Sequence, residues 1–172
     1  MLVGIDIGRY EDLTALVFVE KQDDKFIVRK CEAWRNVSYA EQEKRMQYYF
    51  SKYMIENANI DATGLGEHLA ENLSRKFTFV HPVKFTHELK EKLVLNLKRM
   101  MQNGKIVLPD NPKLINSIRA IKRRFTEGNI IKFEADRRHD IGHADLFWAL
   151  ALAVFNIRGK SSLPQVVKLE NW

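Results

Sequence analysis

Three aspartates stand where a carboxylate is costly. Asp6 interrupts the apolar run Leu2-Val3-Gly4-Ile5-Asp6-Ile7-Gly8, and Asp61 closes Ile60-Asp61 ahead of Thr63-Gly64-Leu65-Gly66. Asp145 opens the most hydrophobic stretch of the chain. A lone carboxylate withdrawn from water is destabilising by several kcal/mol unless it is paired or bound to a metal. Each has an ordinary explanation: a hydrogen bond from a neighbouring turn for Asp6, an Asx-turn for Asp61, a helix dipole for Asp145. Their shared position at the ends of apolar elements favours a joint one, because strand ends facing helix starts are where α/β folds place chemistry. Converging carboxylates repel, and protons or cations relieve the repulsion. Hard oxygen donors select Mg²⁺ or Mn²⁺, and no cysteine–histidine spacing supports zinc. Two such ions, about 3.5–4 Å apart, would clamp the attacking and leaving oxygens of a displacement at phosphorus.

The partner implied by charge is also a phosphate polymer. The 172 residues carry a formal net charge of +6. Basic side chains crowd one region, with Arg119, Lys122, Arg123, Arg124, Lys132, Arg137 and Arg138. Such a patch fits nucleic acid, which binds by releasing condensed counterions; a solvated helix face is the alternative. Cys31 stands alone, so no disulfide forms within the chain, and it is expected to be a small buried hydrophobe on a strand. The apolar stretch from Leu146 to Phe155 falls short of the roughly 20 residues that span a bilayer. The chain opens directly on a strand-like run with no signal peptide. Neither a membrane partner nor an exported protein is expected.

The elements that must position the aspartates follow from periodicity. Leu2 to Gly8, Leu13 to Glu20 and Lys25 to Trp34 read as three strands joined by tight turns, an antiparallel meander. Val3, Ile5 and Ile7 share one face of the first strand and Asp6 takes the other. Ser38 and Glu41 have capping-box spacing at the start of a helix carrying Met46, Phe50, Tyr53 and Met54. A short strand ends at Asp61, though 56–60 is polar for a central strand. Helices are expected over 67–76 and 87–103, a strand over 77–85, and a brief strand over 106–108. Asn111-Pro112 caps a helix with Leu114, Ile118, Ile121 and Phe125 inward, stopped by Gly128. A strand over 130–133 and a strongly apolar helix over 144–157 complete one α/β domain. Its mixed sheet, antiparallel in the first three strands, is flanked by helices. The core spans about 2–157, and 158–172 is a tail with little pattern.

Three motifs in this order, GIDIGRYEDLTALVFVE, IDATGLGEHLAENL and HDIGHADLFWALALA, resemble those of the RNase H-like nuclease domain of phage large terminase subunits. The intervening VKFTHELKEKLVLNLKRMMQNGKIVLPDNPKLINSIRAIK is similar to the family's spacer. The resemblance implies that Asp6, Asp61 and Asp145 are catalytic metal ligands, with Asp12 and Asp140 as further candidate ligands and His143 in an auxiliary place. Relatives often carry a second acid where this chain has Ala144. Thr63 and Gly64 are expected to keep the turn after Asp61 tight. Arg119, Lys122, Arg123, Arg124, Arg137 and Arg138 would hold DNA phosphates. The implied activity is metal-dependent endonucleolytic cutting of double-stranded DNA, with little sequence preference, during phage DNA packaging in the cytoplasm of the bacterial host. Implied partners are an ATPase motor domain, the portal and the small terminase subunit. No G-x-x-x-x-G-K-[ST] loop occurs here, so the motor domain is expected to be absent and the isolated domain monomeric.

Three other functions compete. A RuvC-like junction resolvase shares this kind of fold but places two acids close together in its late helix. An actin-like nucleotide-binding module would use Asp6-Ile7-Gly8 and Thr14 on phosphate, but needs a second related domain. A non-catalytic DNA-binding domain would keep the fold without cutting.

Overall fold

The computed structural model describes residues 1–8, 13–125, 131–135 and 144–156. Strands β1 (Leu2–Asp6), β2 (Thr14–Gln22) and β3 (Lys25–Trp34) form the expected antiparallel meander, with Ile5 opposite Leu16 and Val17 opposite Cys31. Helix α1 (Tyr39–Lys52) starts at Ser38, whose hydroxyl accepts the Glu41 amide at 3.3 Å. The chain then returns as β4 (Asn57–Asp61), parallel to β1 on its open side. A 3₁₀ turn (Gly64–Gly66) leads into α2 (Glu67–Lys76), and β5 (Val80–Val83) pairs parallel to β4. Helix α3 (His87–Gln102) delivers β6 (Ile106–Val107) to the far edge beside β3. The result is a six-stranded mixed sheet in the order β5-β4-β1-β2-β3-β6.

One expectation fails after α4 (Pro112–Ala120). The helical stripe Leu114, Ile118, Ile121, Phe125 suggests a helix running to Phe125, but the helix ends at Ala120. Residues Ile121–Phe125 form β7, paired antiparallel with β8 (Ile131–Ala135) in a separate two-stranded sheet. The residues Ile-Lys-Arg-Arg-Phe satisfy the period of a strand as well as that of a helix, and a short apolar pattern does not separate the two. Ile121 and Phe133 pack against the main core, and pairing with β8 supplies the backbone hydrogen bonds that another helical turn would have made.

Helices cover both faces of the main sheet. Val3, Ile5, Leu16, Phe18 and Ile60 meet α1 and α2 through Met46, Phe50, Leu69 and Leu73. On the other face Ala15, Val17 and Val19 meet α3, α4 and α5 (Asp145–Ala153), whose residues are all buried. Gly4 is the point of closest approach. A Cβ there would lie 1.8 Å from the Ala149 carbonyl oxygen and 2.4 Å from the Ala153 nitrogen, so only glycine lets the α5 backbone rest on β1.

The polarity of β4 has a structural cause. Asn59 is fully buried, and its side-chain amide donates to the Leu152 and Phe155 carbonyls, both at 2.8 Å. Leu152 is in the last turn of α5 and Phe155 lies just beyond it, so Asn59 ties the C-terminal end of the helix to the sheet. Cys31 is half-buried on β3, and burial pushes its thiol up to about 11, so it stays protonated and unreactive. Among the described residues no helix is long and apolar enough to cross a membrane.

Candidate metal centre

Asp6 and Asp61 are the last residues of β1 and β4, parallel neighbours with Ile5 opposite Ile60. The register therefore brings the two acids out side by side at the C-terminal ends of central strands. Alternation puts them on the face of Gly4 and Asn59, under α5. Asp6 is only 8% exposed.

Asp61 is fixed from its own turn. The Thr63 amide and hydroxyl both donate to Asp61 Oδ1, at 2.9 and 2.5 Å, and the Phe85 amide donates to Thr63 Oγ1 at 2.9 Å. Gly64 follows at φ 62°, a left-handed conformation that suits glycine, so the tight turn expected of Thr63-Gly64 is present. Burial raises the Asp61 pKa above the ordinary carboxylate value. The bonds from Thr63, the positive charge of Lys90 and a hydrogen bond with the Asp6 carboxyl offset this only in part. Two carboxyls in that contact require a proton or a cation between them.

Asp145 approaches from the opposite wall. It begins α5, is 8% exposed, and its Oδ2 accepts the Leu13 amide at 3.2 Å. Leu13 lies beyond Ala15, the partner of Asp6, so Asp145 stands at the same end of the sheet as the strand acids. With Asn59 holding its other end, α5 runs antiparallel to β1 and its positive end faces the carboxylates. Ser117 of α4 accepts the Phe147 amide at 2.9 Å, satisfying a free N–H of the first turn. Among the described residues, no three carboxylate, imidazole or thiol side chains meet closely enough to hold an ion by themselves. Asp6 and Asp61 end adjacent strands, and Asp145 begins α5 at the same end of the sheet. The all-oxygen donor set and the shared hydrogen bond fit a hard divalent cation.

Asp12, Asp140, His143, Arg137 and Arg138 lie outside the described residues. Arg119, Lys122 and Arg124 are exposed, and Arg124 faces Lys132 across the β7–β8 pair. Like charges directly opposite destabilise a sheet, an arrangement that a polyanion would relieve. Arg123 is exposed as well, and lines a cavity of about 500 Å³ beside Leu97, Met101, Phe133 and Phe147. Thr14 is buried, its hydroxyl accepting the Gly8 amide at 3.0 Å and donating to Gln42 Oε1 at 2.9 Å. These contacts close the base of the β1–β2 connection and leave Thr14 without the phosphate-facing hydroxyl that an actin-like module needs. Sequence reasoning passed over Asn59, Gln42 and Lys90. Asn59 had a signal, a polar side chain in the middle of a central strand.

A mixed sheet of this topology, with acids on neighbouring strand ends and a helix start over them, defines the RNase H-like class. The chain belongs to the terminase RNase H-like domain family, whose model matches residues 3–156. It is 28% identical over 134 residues to the terminase ATPase subunit of Escherichia phage P2, covering 77% of this chain and 23% of that protein. It is 25% identical over 160 residues to the large terminase subunit of Thermus phage G20c, covering 92% of this chain and 32% of the relative. The chain thus spans about a quarter to a third of the length of the curated relatives it matches. Among solved folds, the magnesium-bound large terminase nuclease of phage G20c superposes with a TM-score of 0.75 at 22% identity, covering 88% of this chain and 78% of that one. The HK97 bacteriophage large terminase gives 0.68 at 16% identity, covering 88% of this chain and 38% of that one. The G20c nuclease has also been solved with cobalt and with zinc.

Proposed function

We propose that this chain is a divalent-metal-dependent endonuclease that cuts double-stranded DNA, with little sequence preference, during phage DNA packaging. The observation that carries the reading is the placement of Asp6 and Asp61 at the ends of adjacent parallel strands, under the start of α5 with its Asp145. Asp6, Asp61 and Asp145 would hold Mg²⁺ or Mn²⁺, two ions in this reading. Bound divalent ions supply charge stabilisation at phosphorus and a more acidic water for attack. Asp61 is kept in place by Thr63, and Asp145 by the Leu13 amide. The α5 dipole favours the negative charge that gathers at its N-terminus. Arg119, Lys122, Arg124 and Lys132 would hold backbone phosphates and position the duplex without reading sequence.

The reading extends to the assembled machine. An ATPase motor domain, the portal and a small terminase subunit would be its partners, in the cytoplasm of the bacterial host. Support comes from the family match and from relatives three to four times the length of the matched segment. The deciding experiment is plasmid nicking by the purified chain with Mn²⁺ or Mg²⁺ and with chelator. Metal-dependent conversion of supercoiled to nicked and linear plasmid is expected. Intact plasmid under all conditions would leave only a DNA-binding domain, and strong preference for four-way junctions would move the assignment to a resolvase.

A further inference from the structure

Lys90 is held by aromatic rings where other lysines of the same region pair with acids. Its ammonium stands 5.2 Å from the Phe85 ring centroid and 5.1 Å from that of Trp148. Both distances lie within cation–π range. Two positions on, Lys92 pairs with Glu88 at 2.5 Å, and Lys84 pairs with Glu67 at 2.6 Å. Among the described residues no carboxylate oxygen forms an ion pair with Lys90 inside 4.0 Å. Lys90 also sits at the end of the first turn of α3, its amide bonded to the Thr86 carbonyl at 2.9 Å. A cation there opposes the helix dipole, so helix stability does not explain its presence.

The two rings belong to the carboxylate centre. The Phe85 amide donates to Thr63 Oγ1, which in turn donates to Asp61. Trp148 lies one turn after Asp145 on α5 and contacts the Phe85 ring, with centroids 5.6 Å apart. The lysine charge reaches Asp61 and favours its ionised form. Ring faces cannot accept the directed hydrogen bonds an ammonium makes to an oxyanion, so the Lys90 N–H groups keep capacity for one. A DNA phosphate entering this centre meets Asp6, Asp61 and Asp145, and a cation fixed at its border offsets that repulsion.

We propose that Lys90 is a phosphate-binding residue of the nuclease site, seated against Phe85 and Trp148 so that its ammonium contacts the DNA backbone beside the Asp6–Asp61 pair. The proposal rests on the nuclease reading, and the test separates the two. Lys90→Met keeps an unbranched apolar stem and removes the charge, whereas Lys90→Arg restores a charge. Duplex binding by the whole chain is measured by fluorescence anisotropy in chelator across a range of KCl, and plasmid cleavage with Mn²⁺ is resolved into kcat and KM. Lys90→Met is expected to reduce the slope of log affinity against log salt by about 0.9, one phosphate contact. It should also lower kcat/KM about tenfold or more, the loss that goes with one hydrogen bond to a charged group. Lys90→Arg should restore the slope and part of the activity.

A salt slope in Lys90→Met equal to that of the wild type would overturn the proposal, as would equal impairment of the methionine and arginine variants. If Lys90→Met does not fold by circular dichroism, Lys90→Gln takes its place in the same comparison. A wild-type chain that binds with a Lys90-dependent slope yet never cuts would refute the nuclease reading alone. One that cuts with a Lys90-independent slope would refute the role of Lys90 alone.

Discussion

The two faces of the main sheet are built from different materials. Beneath α1 and α2 the central strands present Val3, Ile5, Leu16, Phe18 and Ile60, large apolar side chains packed to exclusion of water. Beneath α5 the same strands β1 and β4 present Gly4, Asp6, Asn59 and Asp61, small or polar residues, with Leu2 at the start of β1 as the apolar one. Both faces supply apolar burial, since β2 turns Ala15, Val17 and Val19 toward α5, but only the α5 side also brings a helix backbone onto β1 and gathers carboxylates. A structure that needs charged groups in its interior gains by confining them to one end of one side, leaving the opposite side, and β2 beside them, to stabilise the strands that carry them.

That contrast can be broken in order of expected effect. Asp6→Asn should reduce plasmid cleavage to background while metal-free melting temperature stays level or rises, because repulsion is relieved. With Mg²⁺ only the wild type should gain stability. A strong metal-free destabilisation would make Asp6 a structural residue. Next, Phe18→Ala on the apolar face should cost about 3–5 kcal/mol in chemical denaturation. Gly4→Ala on the other face should cost at least about 3 kcal/mol, because the added methyl meets α5 backbone and not a yielding side chain. A mild Gly4→Ala would show that α5 can lift off β1. Asn59→Ala should be smaller, about 1–3 kcal/mol for the two hydrogen bonds lost, yet should lower cleavage where Phe18→Ala, corrected for folded fraction, does not.

The smallest effect is in pH dependence. Asp61 has a folded-state pKa raised above its unfolded value near 3.8, so it binds its proton more tightly when folded. Its contribution to metal-free stability is therefore full below 3.8 and is lost as pH rises through the raised value. Asp61→Asn should flatten that part of the stability profile. An unchanged profile would mean that Asp61 is better solvated than its position under α5 implies.

Much of this was legible in residue order. Continuous apolar runs and polar turns specify β1 to β3, because the two residues between β2 and β3, and the seven between β1 and β2, leave an antiparallel pairing as the short route. The aspartates stood out since an acid within an apolar run demands a reason. What escaped notice depended on tertiary partners. Ile121 to Phe125 fits either period, and β8 decided it. Lys90 occupies a polar position beside the Leu89, Leu93, Leu97 stripe and looks like a solvated helix residue until Trp148 arrives from α5, more than fifty positions away. Asn59 reads as a weak strand former until the carbonyls of Leu152 and Phe155 are in place. Where a residue's partner is remote in sequence, composition alone describes the residue and not its role.

The seat of α5 on Gly4, with Asn59 gripping its far end, has a consequence for how such a centre can vary over time. The placement of Asp145 is keyed by main-chain contact and not by the particular shapes of Leu146, Leu150 or Leu152. Those side chains are free to drift among similar volumes, trading a little stability, while the acid keeps its address. Divergent sequences can thereby share one centre, provided the glycine and the amide stay.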